Sequence, residues 1–90
     1  MEKFFDKAAE DVRKYGKDLT DDELLTLYSL FKQGKIGDCN KEPPSMLDLK
    51  EKYKYDAWMK LKGKSQNDAK REYVEFVLKF LPDDVKNTYK

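Results

Sequence analysis

Apolar positions recur every three or four residues along most of the chain, and sustained alternation appears nowhere. Phe5, Ala8, Ala9 and Val12 open the pattern. Their spacing predicts a helix over about residues 3–15. Gly16 follows as a stop, with the glycine expected in the left-handed cap conformation. Thr20-Asp21-Asp22-Glu23 reads as a capping box, in which the threonine side chain accepts from the Glu23 backbone N–H and the Glu23 carboxylate reaches back. A second helix therefore starts near Asp21 and runs to about Lys35, weakened at its end by Gly34 and Gly37. Leu24, Leu27 and Leu30 supply its stripe for burial. Tyr28, Phe31, Lys32 and Lys35 fall at i, i+3, i+4 and i+7 and share another face.

Gly37 to Pro44 is a longer loop whose two prolines forbid a helix. It is long enough to cross an end of a bundle, so helices two and three need not be antiparallel neighbours. Ser45-Met46-Leu47-Asp48 resembles a second capping box, with the helix proper starting there or a few residues on. Helix three then runs to about Leu61 or Lys62 and stops at Gly63. Ser65-Gln66-Asn67-Asp68 caps helix four. Its buried face reads Ala69, Tyr73, Phe76, Val77 and Phe80, and Pro82 ends or kinks it near Phe80 or Leu81. The expected fold class is all-α, one domain over residues 1–90, without strand, repeat or linker.

Composition narrows the function classes. Charged residues are 41% of the chain and mean hydropathy is −0.96, yet 13% aromatics give it rings to pack. Ninety residues bury somewhat over 60% of the unfolded surface, roughly, so one core suffices. Nineteen basic and eighteen acidic residues leave a net charge of +1. No global field steers such a chain onto nucleic acid or an anionic membrane, so any anion site is local.

Cys39 is the single cysteine and histidine is absent. That excludes an intramolecular disulfide, a Cys-x-x-Cys metal site, a Ser-His-Asp triad and an imidazole base. A lone cysteine suits a reducing compartment such as the cytoplasm. The carboxylates read as sitting in charged helical surfaces, with no two isolated on an apolar face as acid catalysis would require. No Gly-rich phosphate loop occurs. No cofactor, metal or enzymatic activity is therefore expected. The N-terminus mixes acids with its apolar residues and reads as no signal peptide. No apolar run reaches the length of a membrane span, so stable membrane insertion is not expected.

The candidate chemistry lies on two helices. From Lys50 to Lys64, six lysines stand against Glu51 and Asp56, a local excess of +4. Lys50, Lys54 and Trp58, at i, i+4 and i+8, place two ammonium groups and an indole along one face. Lys32 makes the matching feature on helix two. Two lysines beside aromatic rings on two helices can converge on one phosphate cluster. Lys60, Lys62 and Lys64 read as a solvated face. The plainer alternative makes the rings core and all the lysines solvated. Against it, Tyr28 is expected on an open face, with Trp58 partly in the core and partly toward the pocket.

These residues carry a resemblance. Phe5-Asp6-Lys7-Ala8-Ala9-Glu10, Tyr28-Ser29-Leu30-Phe31-Lys32-Gln33, Gly37-Asp38-Cys39-Asn40, Pro44, Lys50, Lys52-Tyr53-Lys54-Tyr55-Asp56-Ala57-Trp58, Leu61-Lys62-Gly63-Lys64-Ser65 and Ala69-x-x-x-Tyr73-Val74 together closely resemble the acyl-CoA-binding protein family. The likeness runs from Phe5 to about Leu81. It implies a four-helix up-down-down-up bundle with a long overhand loop between helices two and three. It implies binding and intracellular carriage of medium- and long-chain acyl-CoA esters, palmitoyl-CoA for example. The adenine and 3′-phosphate are expected among Tyr28, Phe31, Lys32, Lys54 and Tyr73, with Ser29, Leu30, Arg13 and Lys50 also linked to the ligand. The resemblance further suggests an acyl groove near helices one and two, lined by Phe5, Ala8, Ala9 and Leu25. Partners are expected to be the ligand itself and, transiently, acyl-CoA-using enzymes, with the chain a monomer. Phe31 replaces the usual tyrosine, Tyr55 a usual tryptophan and Asp18 a common lysine, while Pro82 shortens helix four. The rival readings are a helical protein-interaction module and, less favoured without histidine, an acyl-CoA hydrolase or transferase.

Overall fold

Each of the four helical stretches forms a helix, and a short fifth follows. A computed structural model describes residues 2–89. A 3₁₀ turn, Glu2–Phe4, leads into α1 (Phe5–Tyr15), and α2 spans Asp21–Lys35. Next come α3 (Leu49–Met59), α4 (Gln66–Leu78) and α5 (Asp83–Lys86), with a closing 3₁₀ turn, Asn87–Tyr89. There is no strand among the described residues. The all-α class stands. The helix α2 packs on both α3 and α4, and α4 packs on α1. The order across the bundle is thus α1, α4, α2, α3, consistent with a long overhand connection between α2 and α3.

Burial explains this order. Phe5 and Ala8 of α1 meet Leu27 and Leu30 of α2 and Ala69, Tyr73, Val74 and Val77 of α4 in one core, closed by Leu81 and Tyr89. Gly34 lets α2 and α4 approach: a Cβ there would lie 3.0 Å from Lys70 Cγ and 3.3 Å from Phe5 Cζ. The capping box forms as read, with Thr20 Oγ1 accepting from Glu23 N at 3.2 Å and Glu23 Oε1 from Thr20 N at 2.9 Å. Ser65 caps α4 by accepting from Asp68 N at 3.0 Å.

Several expectations need correction. Gly16 ends α1 but has φ −93°, not the left-handed value. Space selects it instead, since a Cβ would lie 2.6 Å from Val12 O. Helix three takes the later of the two starts, at Leu49, and ends sooner than read, at Met59. Its cap is Asp48, which accepts from Glu51 N at 3.2 Å, while Ser45 only closes a local turn. Beyond Met59 the chain tightens into turns up to Gly63. Leu24 is 44% exposed and leaves the buried stripe to Leu27 and Leu30. On α4, Phe76 is only half-buried, as is Phe80 just beyond its end, and Val74 is fully buried in their stead. The helix stops at Leu78, and Pro82 caps α5 rather than kinking α4.

Trp58 is also corrected: at 1% exposure it is wholly core. Its Nε1 donates to Gln33 Oε1 at 3.1 Å and to Gly37 O at 2.9 Å. Gln33, fully buried, donates through Nε2 to Asp38 Oδ1 at 2.9 Å and to Lys64 O at 2.7 Å. Asp38 Oδ1 accepts in turn from Gly63 N at 2.9 Å. This polar hub ties the end of α2 to α3 and to the turn before α4. Gly37 and Gly63, at φ +101° and +92°, supply the left-handed backbone it needs.

The hub gives a pH prediction. The Gly63 N–H, and then the Gln33 amide, hold the Asp38 carboxyl below its ordinary 3.8. A depressed carboxyl stabilises the fold above its unfolded value and loses that contribution as pH falls through its folded value. Thermal melts should therefore show stability falling with acid below about pH 4, and falling less steeply in Asp38→Asn. Parallel acid limbs in the two proteins would contradict the role given to Asp38.

Candidate functional site

Lysines over aromatic rings form a belt across three helices. Lys32 on α2 and Lys54 on α3 approach the same ring, with Nζ 5.8 Å and 5.3 Å from the Tyr28 centroid. Lys32 Nζ also stands 5.9 Å from the Trp58 ring. Further along, Lys35 Nζ lies 5.5 Å from Phe31, and Lys70 Nζ on α4 lies 5.7 Å from Phe5. Ring faces attract the ammonium groups and help to hold them in place. Among the described residues, Lys32, Lys35, Lys50 and Lys70 have no carboxylate partner, and Lys54 has Glu51 at 3.7 Å. Unneutralised cations in fixed positions are what an anion with several oxygens requires. Tyr28 is half-buried, and burial pushes its hydroxyl pKa up, with Lys54 partly opposing. The phenol is neutral at pH 7 and can donate a hydrogen bond.

An apolar cavity opens beside Tyr28. It holds about 430 Å³ and is lined by Asp21, Leu24, Leu25, Tyr28, Lys50, Tyr53 and Lys54. Leucines and tyrosines furnish its walls, and two lysines and an aspartate its polar groups. A wider groove of about 1010 Å³ adjoins it through Leu25 and Tyr53 and reaches Ser29, Leu30, Asp56 and Glu72.

The residues singled out from the sequence divide into two groups. Tyr28, Lys32, Lys50, Lys54 and Leu25 gather where α2 faces α3. Phe31 and Tyr73 instead pack with Phe5, at centroid distances of 5.2 Å (Phe5–Phe31), 5.2 Å (Phe5–Tyr73) and 5.8 Å (Phe31–Tyr73). Tyr73, which its spacing put on the buried face of helix four and the resemblance drew toward the ligand, is 4% exposed and belongs to the core. Burial pushes its hydroxyl up to about 12, while the charge of Arg13 pulls the other way; Arg13 itself is exposed on α1. Ser29 is buried, its hydroxyl donating to Thr26 O at 2.9 Å, and Leu30 is core. The groove expected along Phe5 and Ala8 is closed, because both are buried, and Ala9 packs half-buried against the same core. Leu25 alone of that set faces an open cavity.

Leu24 and Tyr53 were not singled out as site residues. Leu24 stands four residues before Tyr28, and Tyr53 three after Lys50, so helical spacing carried both signals. Lys70 had none, since its nearness to Phe5 depends on the close approach at Gly34. Among the described residues no helix is long and apolar enough to cross a membrane, and no acidic or cysteine cluster could hold a metal ion.

Comparison with known proteins places this architecture. The acyl CoA binding protein family model matches residues 2–77. The acyl-CoA-binding protein homolog of Drosophila melanogaster is 51% identical over 73 residues, which is 81% of this chain and 85% of the relative. Acyl-CoA-binding protein 2 of Saccharomyces pastorianus is 43% identical over 77 residues, 86% of this chain and 88% of the relative. The crystal structure of Oryza sativa acyl-CoA-binding protein 2 superimposes with a TM-score of 0.84 at 28% identity, covering 98% of this chain and 96% of that one. With its helices, its lysine–aromatic belt and this likeness over most of its length, the chain belongs to the acyl-CoA-binding protein family.

Proposed function

We propose that the chain binds medium- and long-chain acyl-CoA esters and serves as their carrier and pool former in the cytoplasm, as a monomeric single domain. It is a binding protein rather than an enzyme, in keeping with its family. One observation carries the reading of the site: Lys32 and Lys54 converge on the Tyr28 ring beside an apolar cavity. An acyl-CoA is a phosphorylated, planar head joined to an apolar tail. The 3′-phosphate is assigned to Lys32 and Lys54, and the adenine to the rings of Tyr28 and Phe31. Lys50 and Arg13 border the remainder of the head, with Ser29 and Leu30 supporting α2 and buried Tyr73 supporting Phe31 beneath it. The tail is assigned to the cavity walled by Leu24, Leu25 and Tyr53, not to the closed surface of Phe5 and Ala8. Acyl-CoA-using enzymes are the partners from which the ligand is taken and to which it is released.

The phosphate assignment is tested with Lys32→Ala and Lys54→Ala, each titrated with palmitoyl-CoA and its 3′-dephospho analogue. Loss of one charged hydrogen bond should cost roughly 1.5–3 kcal/mol toward palmitoyl-CoA and much less toward the analogue. Lys54 should give the smaller effect, since it shares its charge with Glu51. Unchanged discrimination between the two ligands in both variants would reject the assignment.

A further inference from the structure

Two hollows flank the line where α2 meets α3: the cavity of about 430 Å³ and the groove of about 1010 Å³. Among the described residues, only Leu25 and Tyr53 line both. Helical spacing puts them there. At about 3.6 residues per turn, Leu25 falls between Leu24 and Tyr28, which face the cavity, and Thr26 and Ser29, which face the groove. On α3, Tyr53 falls between Lys50 and Lys54 on the cavity side and Asp56 and Lys60 on the groove side. We propose that the Tyr53 ring is the partition that ends the tail cavity, and so sets which acyl chain length binds best. The proposal rests on the acyl-CoA reading above and names a specificity residue within it.

Burial separates the two shared residues. Leu25 is half-buried, whereas Tyr53 is 58% exposed and, among the described residues, stacks on no other ring. The Tyr53 ring can therefore be cut back without opening the core. What lies past it decides the effect. The groove offers Leu30, Ala57, Met59 and Leu61 as apolar surface. Its carboxylates do not bar a chain from that surface: Asp22 and Asp56 are exposed and stay hydrated, and Glu72 is paired with Lys64. With the ring in place, methylenes that overrun the cavity stay in water and add nothing to affinity. With the ring removed, the two hollows join, and the same methylenes lie against the groove's apolar side chains. Each one buried there strengthens binding by the hydrophobic effect.

The test titrates the full chain, Tyr53→Ala, Tyr53→Trp and Tyr55→Ala with saturated acyl-CoA esters from octanoyl to docosanoyl, and urea melts check that each variant folds. Wild-type affinity should rise with chain length and then level off. In Tyr53→Ala the levelling should move to longer chains, each added methylene past the wild-type limit gaining up to about fourfold. Tyr53→Trp enlarges the partition and should move it to shorter ones. Tyr55 lines the groove alone, so Tyr55→Ala should keep the wild-type levelling point. A levelling point in Tyr53→Ala equal to that of the wild type overturns the proposal, as does an equal shift in Tyr55→Ala. A wild-type affinity independent of chain length is a different failure: it removes the tail from the cavity, and the partition falls with it.

Discussion

Trp58→Ala is expected to destabilise the fold by about 3–5 kcal/mol, as large aromatic truncations in cores do. The side chain is fully buried, so the change leaves a cavity. It also strips a donor from Gln33 Oε1 and Gly37 O, two acceptors inside the hub. Domains of this kind are stable by about 5–15 kcal/mol in total, so the variant retains at most a fraction of that margin. Trp58→Phe separates the two causes. It keeps most of the ring and removes the N–H, leaving a cost of about 1–3 kcal/mol for the orphaned acceptors. Urea melts of both variants measure the difference. A Trp58→Ala protein within about 1 kcal/mol of wild type would contradict the hub.

The second large effect concerns the ligand's tail. Each methylene buried in an apolar site contributes about 0.8 kcal/mol, close to a factor of four in affinity. Affinity along a series of saturated acyl-CoA esters should therefore climb steeply from short chains, by less than this per-carbon limit because ordering the chain opposes it. The rise should level off once the cavity between Leu24, Leu25 and Tyr53 is filled. Leu25→Asp sets a carboxylate in that wall, and the series should flatten while free CoA binds as before. A wild-type affinity independent of chain length, or an unaltered slope in Leu25→Asp, would remove the tail from this cavity.

The helices were legible because caps and periodicity are local properties. Thr20 and Ser65 cap as their sequence contexts indicate, since the partners lie three residues away. The cation–ring pairing of Lys32 with Tyr28 was legible for the same reason, both lying on one helical face. What failed depends on distant parts of the chain. Tyr73 and Phe76 share one apolar spacing on α4, and only the packing of α1 and α2 decides that the first is buried and the second half-buried. Gln33 looks like an ordinary polar helix residue, and its role appears only when Trp58, Asp38 and Lys64 arrive from elsewhere. The final segment carries too short a pattern to announce α5, and Tyr89 finds its burial against α1, where its hydroxyl donates to Asp11. An acyl groove along Phe5 and Ala8 was drawn from likeness alone, and burial of both residues in the core closes it.

The account's central claim is that one site reads both ends of an amphiphile. Calorimetric titration of the unaltered chain with palmitoyl-CoA, free CoA and palmitate tests it most directly. Palmitoyl-CoA should bind one to one and far more tightly than either half, because the belt holds the head while the cavity takes the tail. Palmitate binding as tightly as palmitoyl-CoA would contradict it.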